Sequence, residues 1–246
     1  MFLVDSSLIL LALIAFATSS IAGIFGFGGG MLLIAALPHF VPASALIPLH
    51  STTQLASNFS RAWLGRPFIQ WRYVWPYLLG SIIGIAVAYS VFAQLDLRLL
   101  PGIIGVYILL STWSNLVARC LQKLSSFYLL GAVQTGVSLL VGAPGPMALP
   151  VLIKKLSNHH QIVCTIAVFM SVGHILKLAV FMHLQFAFMA YLPTIFVLAL
   201  AALGGSVAGT RLRSRLKTDN YVWVVKCLLT VLSVLAIYRS YLGLAG

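Results

Sequence analysis

The amino-acid sequence predicts an all-α, polytopic membrane protein with about eight hydrophobic segments in two inverted four-segment repeats, the first and fifth broken at Gly/Pro-rich turns. Three observations lead there. Hydrophobic residues make up 61% of the 246, which at about 20 apolar residues per membrane-crossing helix suffices for about seven or eight crossings. Charged residues are only 7%, against about 25% in soluble domains, which excludes a soluble globular protein. Two glycine- and proline-rich interruptions recur at one offset, and the basic residues gather on one face once those interruptions are read as hairpins.

The segments run at about 8–37, 43–64, 74–92, 97–117, 127–153, 162–184, 188–208 and 221–244. Met1 to Ser7 contains no basic residue, a poor match to a cleaved signal peptide, so the first segment is expected in the mature protein. It is interrupted by Gly26-Phe27-Gly28-Gly29-Gly30. The second carries polar residues and ends in a connection with Trp63, Trp71, Tyr73, Trp75 and Tyr77, read as an aromatic anchor at the headgroup layer. The third contains Gly80 to Gly84, and the fourth follows Asp96. The fifth is interrupted by Gly142-Ala143-Pro144-Gly145-Pro146, the seventh repeats a glycine-rich stretch at Gly205 to Gly209, and the eighth follows Asp219. Three successive glycines, or a Pro-Gly-Pro run, leave backbone groups without helical partners, which is tolerated only where protein or a water-filled cavity satisfies them. No connection is long enough to fold alone, so the function lies within the membrane.

An offset of 116 residues places Gly26 on Gly142, Gly29 on Gly145, Met31 on Met147, Asn58 on His174 and Arg61 on Lys177. After a drift of several residues, Gly80-Ser81-Ile82-Ile83-Gly84 matches Gly205-Ser206-Val207-Ala208-Gly209, and Asp96 matches Asp219. The expected halves are residues 1–120 and 121–246, joined near Leu121 to Ser125.

If all eight segments crossed, the basic residues would divide six against eight, with no bias. With both broken segments entering and leaving on one face, Arg61, Arg66, Arg72, Arg119, Lys123, Lys154, Lys155, Arg211, Arg213, Arg215, Lys217 and Lys226 share a side. Only Arg98 and Arg239 lie opposite, and Lys177 sits inside a helix. That asymmetry is the one expected when cytoplasmic positive charge sets orientation. Each half then makes an odd number of crossings, so the halves are inverted. The expected location is a bacterial inner (plasma) membrane with the basic loops cytoplasmic.

The chain has 15 Lys and Arg against 3 Asp and Glu. Asp5, Asp96 and Asp219 all lie at or near segment ends, so no carboxylate is available at midplane. This argues against carboxylate metal sites, glycosidase-type acid pairs and Asp/Glu proton relays. The basic excess is spread over short loops, which fits membrane orientation and not nucleic acid. Cys120, Cys164 and Cys227 form neither a disulfide framework nor a metal site. His39, His159, His160 and His183 read as interfacial. No cofactor or metal is expected.

A glycine-rich break near the N-terminus, a polar second helix ending in a basic loop with Trp71, and the repeat of that plan with Gly-Ala-Pro-Gly-Pro resemble the sulfite exporter TauE/SafE family of membrane permeases. The resemblance spans nearly the whole chain. It implies transport of a small sulfur-containing anion of the sulfite, sulfonate, sulfoacetate or thiosulfate class. The chain departs from the usual pattern at Pro144 and Pro146, where more glycines are expected, and at His50 and Gln54, where that segment is often more apolar.

An anion needs positive charge or N–H donors. Half-helices beginning at Gly29 or Gly30, and near Gly145 or Pro146, would direct unpaired N–H groups at the breaks, and Gly26, Gly28 and Gly142 with Pro144 complete the two runs. His50, Gln54, Ser57/Asn58 and Arg61 fall close to one face of the second helix, and Ser171, His174 and Lys177 form its counterpart. Such stripes must face protein or water. On this reading Asn58 and His174 donate to substrate oxygens while Arg61 and Lys177 attract or guide it. Arg61 also reads as a boundary residue among interfacial anchors, and Lys177 as a snorkelling one. With no buried carboxylate as protein partner, a mobile anion is the expected counter-ion. His50 or His174 is the candidate for a coupling proton, because imidazole titrates near neutral pH.

The expected function is therefore a non-enzymatic permease working by alternating access, its partners a small anion, a coupling proton or ion, and membrane lipids. The alternatives are an intramembrane enzyme, for which Ser51 beside His50 is the only tempting pair, and a non-transporting protein whose basic loops bind anionic lipid.

Overall fold

The computed structural model describes residues 6–26, 28–114, 126–145, 147–213 and 221–245. Phe27, Pro146, Asp5, Asp219, Cys120, the joint at 121–125 and the loop cations Arg119, Lys123, Arg215 and Lys217 lie outside them. The described residues form α-helices with short 3-10 turns and no strand. In chain order these helices are α1 Ser6–Phe25, α2 Gly29–Ala36, α3 Ala43–Leu64, α4 Trp71–Phe92, α5 Leu100–Trp113, α6 Phe127–Val141, α7 Leu149–Ile153, α8 His159–His183, α9 Leu192–Leu212 and α10 Tyr221–Ala245.

Among the described residues, five helical stretches are long and apolar enough to cross a membrane: Ser6–Phe25, Trp71–Phe92, His159–His183, Phe188–Leu212 and Trp223–Leu242. Their outward faces are hydrophobic, with Ile83, Val87, Phe196 and Val231 all more than half exposed. Water would not tolerate such a surface, whereas lipid does. Helix α3 has the length to cross but not the apolarity. Its polar residues Ser51, Thr53, Gln54, Ser57, Asn58, Ser60 and Arg61 are all buried, so the helix is sheathed by other helices as hydrocarbon requires.

The helix contacts cross between the two halves of the chain. Helix α1 packs on α9, α4 on α6, α3 on α8 and α5 on α10. Two of these pairs use glycine in the same way. A Cβ on Gly80 would fall 1.9 Å from the Tyr128 carbonyl oxygen, and one on Gly205 2.1 Å from that of Phe16. Backbones approach this closely only when no side chain intervenes. Serines beside these glycines tie the pairs to the centre: Thr135 Oγ1 donates to Ser81 Oγ at 2.8 Å, and Ser60 Oγ to Ser206 Oγ at 2.8 Å.

Both broken segments turn back on themselves or on their neighbour. A Cβ on Gly29 would meet the Thr18 carbonyl oxygen at 1.9 Å and the Ala22 Cβ at 2.9 Å, so α2 retraces α1 as a hairpin arm. The second arm begins later than the sequence suggested. Helix α7 starts at Leu149, not at Gly145 or Pro146, and runs for only five residues. Gly145 sits at φ +74°, a conformation that glycine adopts freely and that a right-handed helix cannot continue through, so the arm resumes only beyond it.

The charges also sort by end. Ser240 Oγ donates to the Arg98 carbonyl at 2.9 Å, and Arg239 acts on His39, whose pKa is lowered by burial first and by that charge second. Arg61, Gly65, His159, Arg211 and Arg213 gather at the other end around a shared recess. Trp63, Trp71 and Trp75 are exposed, as anchors require. Tyr77 is not one of them. It is 1% exposed and stacks on Phe169 with ring centroids 4.0 Å apart, because it lies on the face of α4 turned toward α6 and α8.

Candidate functional site

The two breaks meet at the centre of the bundle. A Cβ on Gly142 would fall 2.7 Å from Ile34 Cγ1, and one on Gly145 3.1 Å from Met31 Sδ, so the second break rests against the α2 arm of the first. Beside them α3 and α8 bring their polar stripes together, with the His50 and His174 rings 5.5 Å apart in edge contact.

These groups enclose a cavity of about 50 Å³. One water needs roughly 10–15 Å³ of such space, so it takes a few waters or one compact solute. Of the residues singled out in the sequence, Gly26, Gly28, Gly30, His50, Gln54, Asn58 and Arg61 line it from the first half. From the second half come Gly142, Pro144, Gly145, His174 and Lys177. Gly29 and Ser171 do not: Gly29 is pressed against α1, and Ser171 Oγ donates back to the Ala167 carbonyl at 2.9 Å. Pro146 lies outside the described residues.

The buried cations have protein partners after all. Lys177 Nζ donates to the Gly142 carbonyl at 2.6 Å, and Arg61 Nη1 donates to the carbonyls of Ala22 and Gly26, each at 2.9 Å. Both thus cap the C-terminal, negative end of the helix that runs into a break. A buried cation does not require a carboxylate: here the broken helices' own carbonyls serve as partners. Lys177 does not snorkel, being 1% exposed, and Arg61 at 5% is not an interfacial residue. Arg61 also donates through Nη2 to Asn58 Oδ1, and Asn58 Nδ2 donates to the Gln54 carbonyl at 2.7 Å.

Several polar atoms remain unsatisfied. His50 Nε2 faces the Gly30 carbonyl at 2.9 Å, but its Nδ1 has no partner among the described residues. The same holds for His174 Nδ1, Gln54 Nε2, Arg61 Nε and Gln134 Oε1. Each such group costs about 1–3 kcal/mol if it stays unpaired, a cost that water or a polar solute removes. The N-terminus of α2 points at the break: among the described residues the first backbone bond into that helix is Leu32 N–H to the Gly28 carbonyl, and the first N–H groups of a helix have no intrahelical partners of their own. No carboxylate lines the cavity among the described residues, and Asp96 pairs with Arg98 at the surface, 2.9 Å away. Ser51 is absent from the lining and His50 Nε2 is engaged, so the tempting Ser51–His50 pair is not assembled as a dyad.

The arrangement is a buried pocket ringed by cations, N–H groups and imidazoles, with no carboxylate among the described residues that line it. A model of the sulfite exporter TauE/SafE family matches residues 11–237. The chain belongs to this family. Searches of curated proteins and of solved structures gave no match. Membership in the TauE/SafE family makes the chain an integral membrane protein of a sulfur-anion exporter family, in keeping with its apolar helices.

The lining of this TauE/SafE protein includes residues that sequence reasoning passed over. Gln134, Thr135 and Ser138 bring one face of α6 to the cavity, and Tyr107 Oη donates to the Pro144 carbonyl at 2.7 Å. The signal for the first three was present as polar residues at successive turns just before the second break. The offset of 116 maps them onto Thr18, Ser19 and Ala22, of which Ala22 also lines the cavity.

Proposed function

We propose that this protein is a permease that carries a compact sulfur oxyanion, sulfite in the first place, out of the cytoplasm by alternating access. The observation that carries the reading is the cavity, where among the described residues Lys177 and Arg61 are held by carbonyls and an amide group and several buried polar atoms have no partner. An oxyanion completes that set, accepting from Gln54 Nε2, the α2 N-terminus and the two cations. A cation would meet the same charges without a carboxylate to offset them. The cavity's small volume favours sulfite over longer sulfonates such as sulfoacetate.

The halves act as inverted repeats in an inner membrane with the Arg61 end cytoplasmic. Support comes from the contacts that exchange between halves, with α1 on α9 and α4 on α6, and from the two glycine-dependent interfaces. Each such pair moves as a unit, and rocking one against the other opens the cavity to either face in turn. His50 and His174 carry the coupling proton.

The test is efflux of radiolabelled sulfite from proteoliposomes, with sulfoacetate and taurine as competitors. Sulfite efflux that outpaces empty vesicles, and that sulfoacetate competes for weakly, is expected. Equal rates with and without protein, across sulfite, sulfate and thiosulfate, reject the reading.

A further inference from the structure

A second recess lies at the Arg61 end of the bundle, separate from the central cavity and larger, at about 550 Å³. Its walls carry Arg61, Arg211, Arg213, His159 and Thr210. Among the described residues Arg61 alone lines both spaces, so its guanidinium is the partition between them. Arg61 is 95% buried, and its Nε has no partner among the described residues; nor does Thr210 Oγ1. Arg213 spends its Nε on the carbonyls of Gly23 and Ile24, each at 3.0 Å. Together with Arg61 it caps the end of α1, so its charge is held at the recess by the fold.

Packing symmetry does not require this charge. The offset that aligns Gly80 with Gly205 aligns Ala88 with Arg213, and the offset of 116 aligns Ala43 with His159. Apart from Arg61, whose counterpart is Lys177, these cationic groups of the recess correspond to neutral residues in the other repeat.

We infer that this recess is a second anion site, in which a small, still partly hydrated oxyanion binds against Arg61, Arg211, Arg213, His159 and Thr210 before passing Arg61 into the central cavity. The difference in volume gives the order of events. The recess has room for an anion with much of its water, whereas the central cavity holds only a few water-sized volumes, so dehydration occurs at the Arg61 partition. Two sites in series let an anion bind firmly enough to enter and leave when the next one arrives. The inference rests on the central cavity being an anion site, and the experiment separates the two.

The experiment is equilibrium binding of radiolabelled sulfate to the full-length protein in phosphatidylcholine nanodiscs. Two sulfates per chain are expected. The double variant R211Q/H159Q alters exposed side chains and leaves the Arg213 cap of α1 intact; it should reduce the count to one or weaken one site at least tenfold. K177M should remove the other. One sulfate per chain, lost in K177M and unchanged in R211Q/H159Q, overturns the recess site while leaving the central reading in place. One sulfate, lost in R211Q/H159Q and kept in K177M, supports the recess and rejects the central site. A lipid phosphate offers the same chemistry, so the measurement is repeated with phosphatidylglycerol. Retention of both sulfates supports a site for free anion, and selective loss of the R211Q/H159Q-sensitive one overturns it in favour of a headgroup.

Discussion

Lys177 Nζ bonds the carbonyl of Gly142, and 116 residues earlier Arg61 bonds the carbonyl of Gly26 in the same way. Each break is therefore built from a left-handed glycine, at φ +75° and +87° respectively, and a cation from the neighbouring helix that neutralises the exposed helix end. A carbonyl is a weaker partner for a buried cation than a carboxylate, so each cation stays available to an incoming anion without being bare in its absence.

Replacing Lys177 by Met separates binding from folding. Removing the buried charge relieves its desolvation, while the Gly142 carbonyl loses its donor at a cost of about 1–3 kcal/mol, so the melting temperature in detergent should fall modestly at most. The stabilisation that sulfite confers, about 2.7 kcal/mol at a hundredfold excess over Kd, should disappear along with transport. An undiminished sulfite shift in the variant counts against a role for Lys177 in the site.

Alanine at the left-handed glycines should destabilise both breaks. A non-glycine residue in that conformation costs about 1–2 kcal/mol, and the new Cβ would also meet Val163 Cγ2 at 2.8 Å for Gly26 or Ile34 Cγ1 at 2.7 Å for Gly142. Chemical denaturation of G142A should show a loss of at least that size. Measured in the background of I34A, which removes the clashing atoms at its own core-packing cost, G142A should lose only the dihedral cost. Full recovery, or no loss at all, contradicts the geometry.

Neighbouring glycines on α9 should respond in opposite ways. Gly205 admits no side chain, with Phe16 backbone 2.1 Å from its virtual Cβ, while the nearest atom at Gly204 is a Phe16 ring carbon at 3.5 Å. G205A should therefore lower the melting temperature and transport together, and G204A should leave both nearly unchanged, since ordinary surface changes stay within about 0.5 kcal/mol. Equal effects from the two would mean that α1 and α9 do not pack in this register.

The chain announces much of this arrangement. Glycine runs and Pro-Gly-Pro mark the breaks because they cannot continue a helix, and His50, Gln54, Asn58 and Arg61 mark a protein-facing stripe because lipid excludes them. What stays hidden depends on three-dimensional partners. The carbonyls that hold Arg61 and Lys177 belong to every residue and so leave no trace in composition. Gln134, Thr135 and Ser138 are three polar positions in an apolar helix, as compatible with helix packing as with a cavity. Tyr77 sits in a run of aromatic residues whose tryptophans are exposed, and only the packing of α4 on α6 and α8 turns it inward.

The imidazole pair should make anion binding depend on pH with a definite sign. His50 Nε2 faces only an acceptor, the Gly30 carbonyl, so the neutral ring keeps its proton on Nε2 and presents a lone pair at Nδ1. That lone pair repels an oxyanion, whereas protonation turns Nδ1 into a donor. Lys177, Arg61, His50 and His174 line one cavity, so an anion held there favours a proton on the pair and a proton favours the anion, and the two should bind together. Sulfite affinity should accordingly strengthen as pH falls, by up to about tenfold per unit when one proton is taken up. Substituting His50 by Gln keeps a donor for the Gly30 carbonyl but removes the titrating group, and should flatten the dependence while leaving binding measurable. Isothermal titration of sulfite in buffers of different ionisation enthalpy counts the protons taken up, and the difference from the histidine variants separates the protein's share from that of sulfite, which itself titrates near neutral pH. A count of zero in the wild type, or the wild-type count retained in both H50Q and H174Q, removes the pair from coupling.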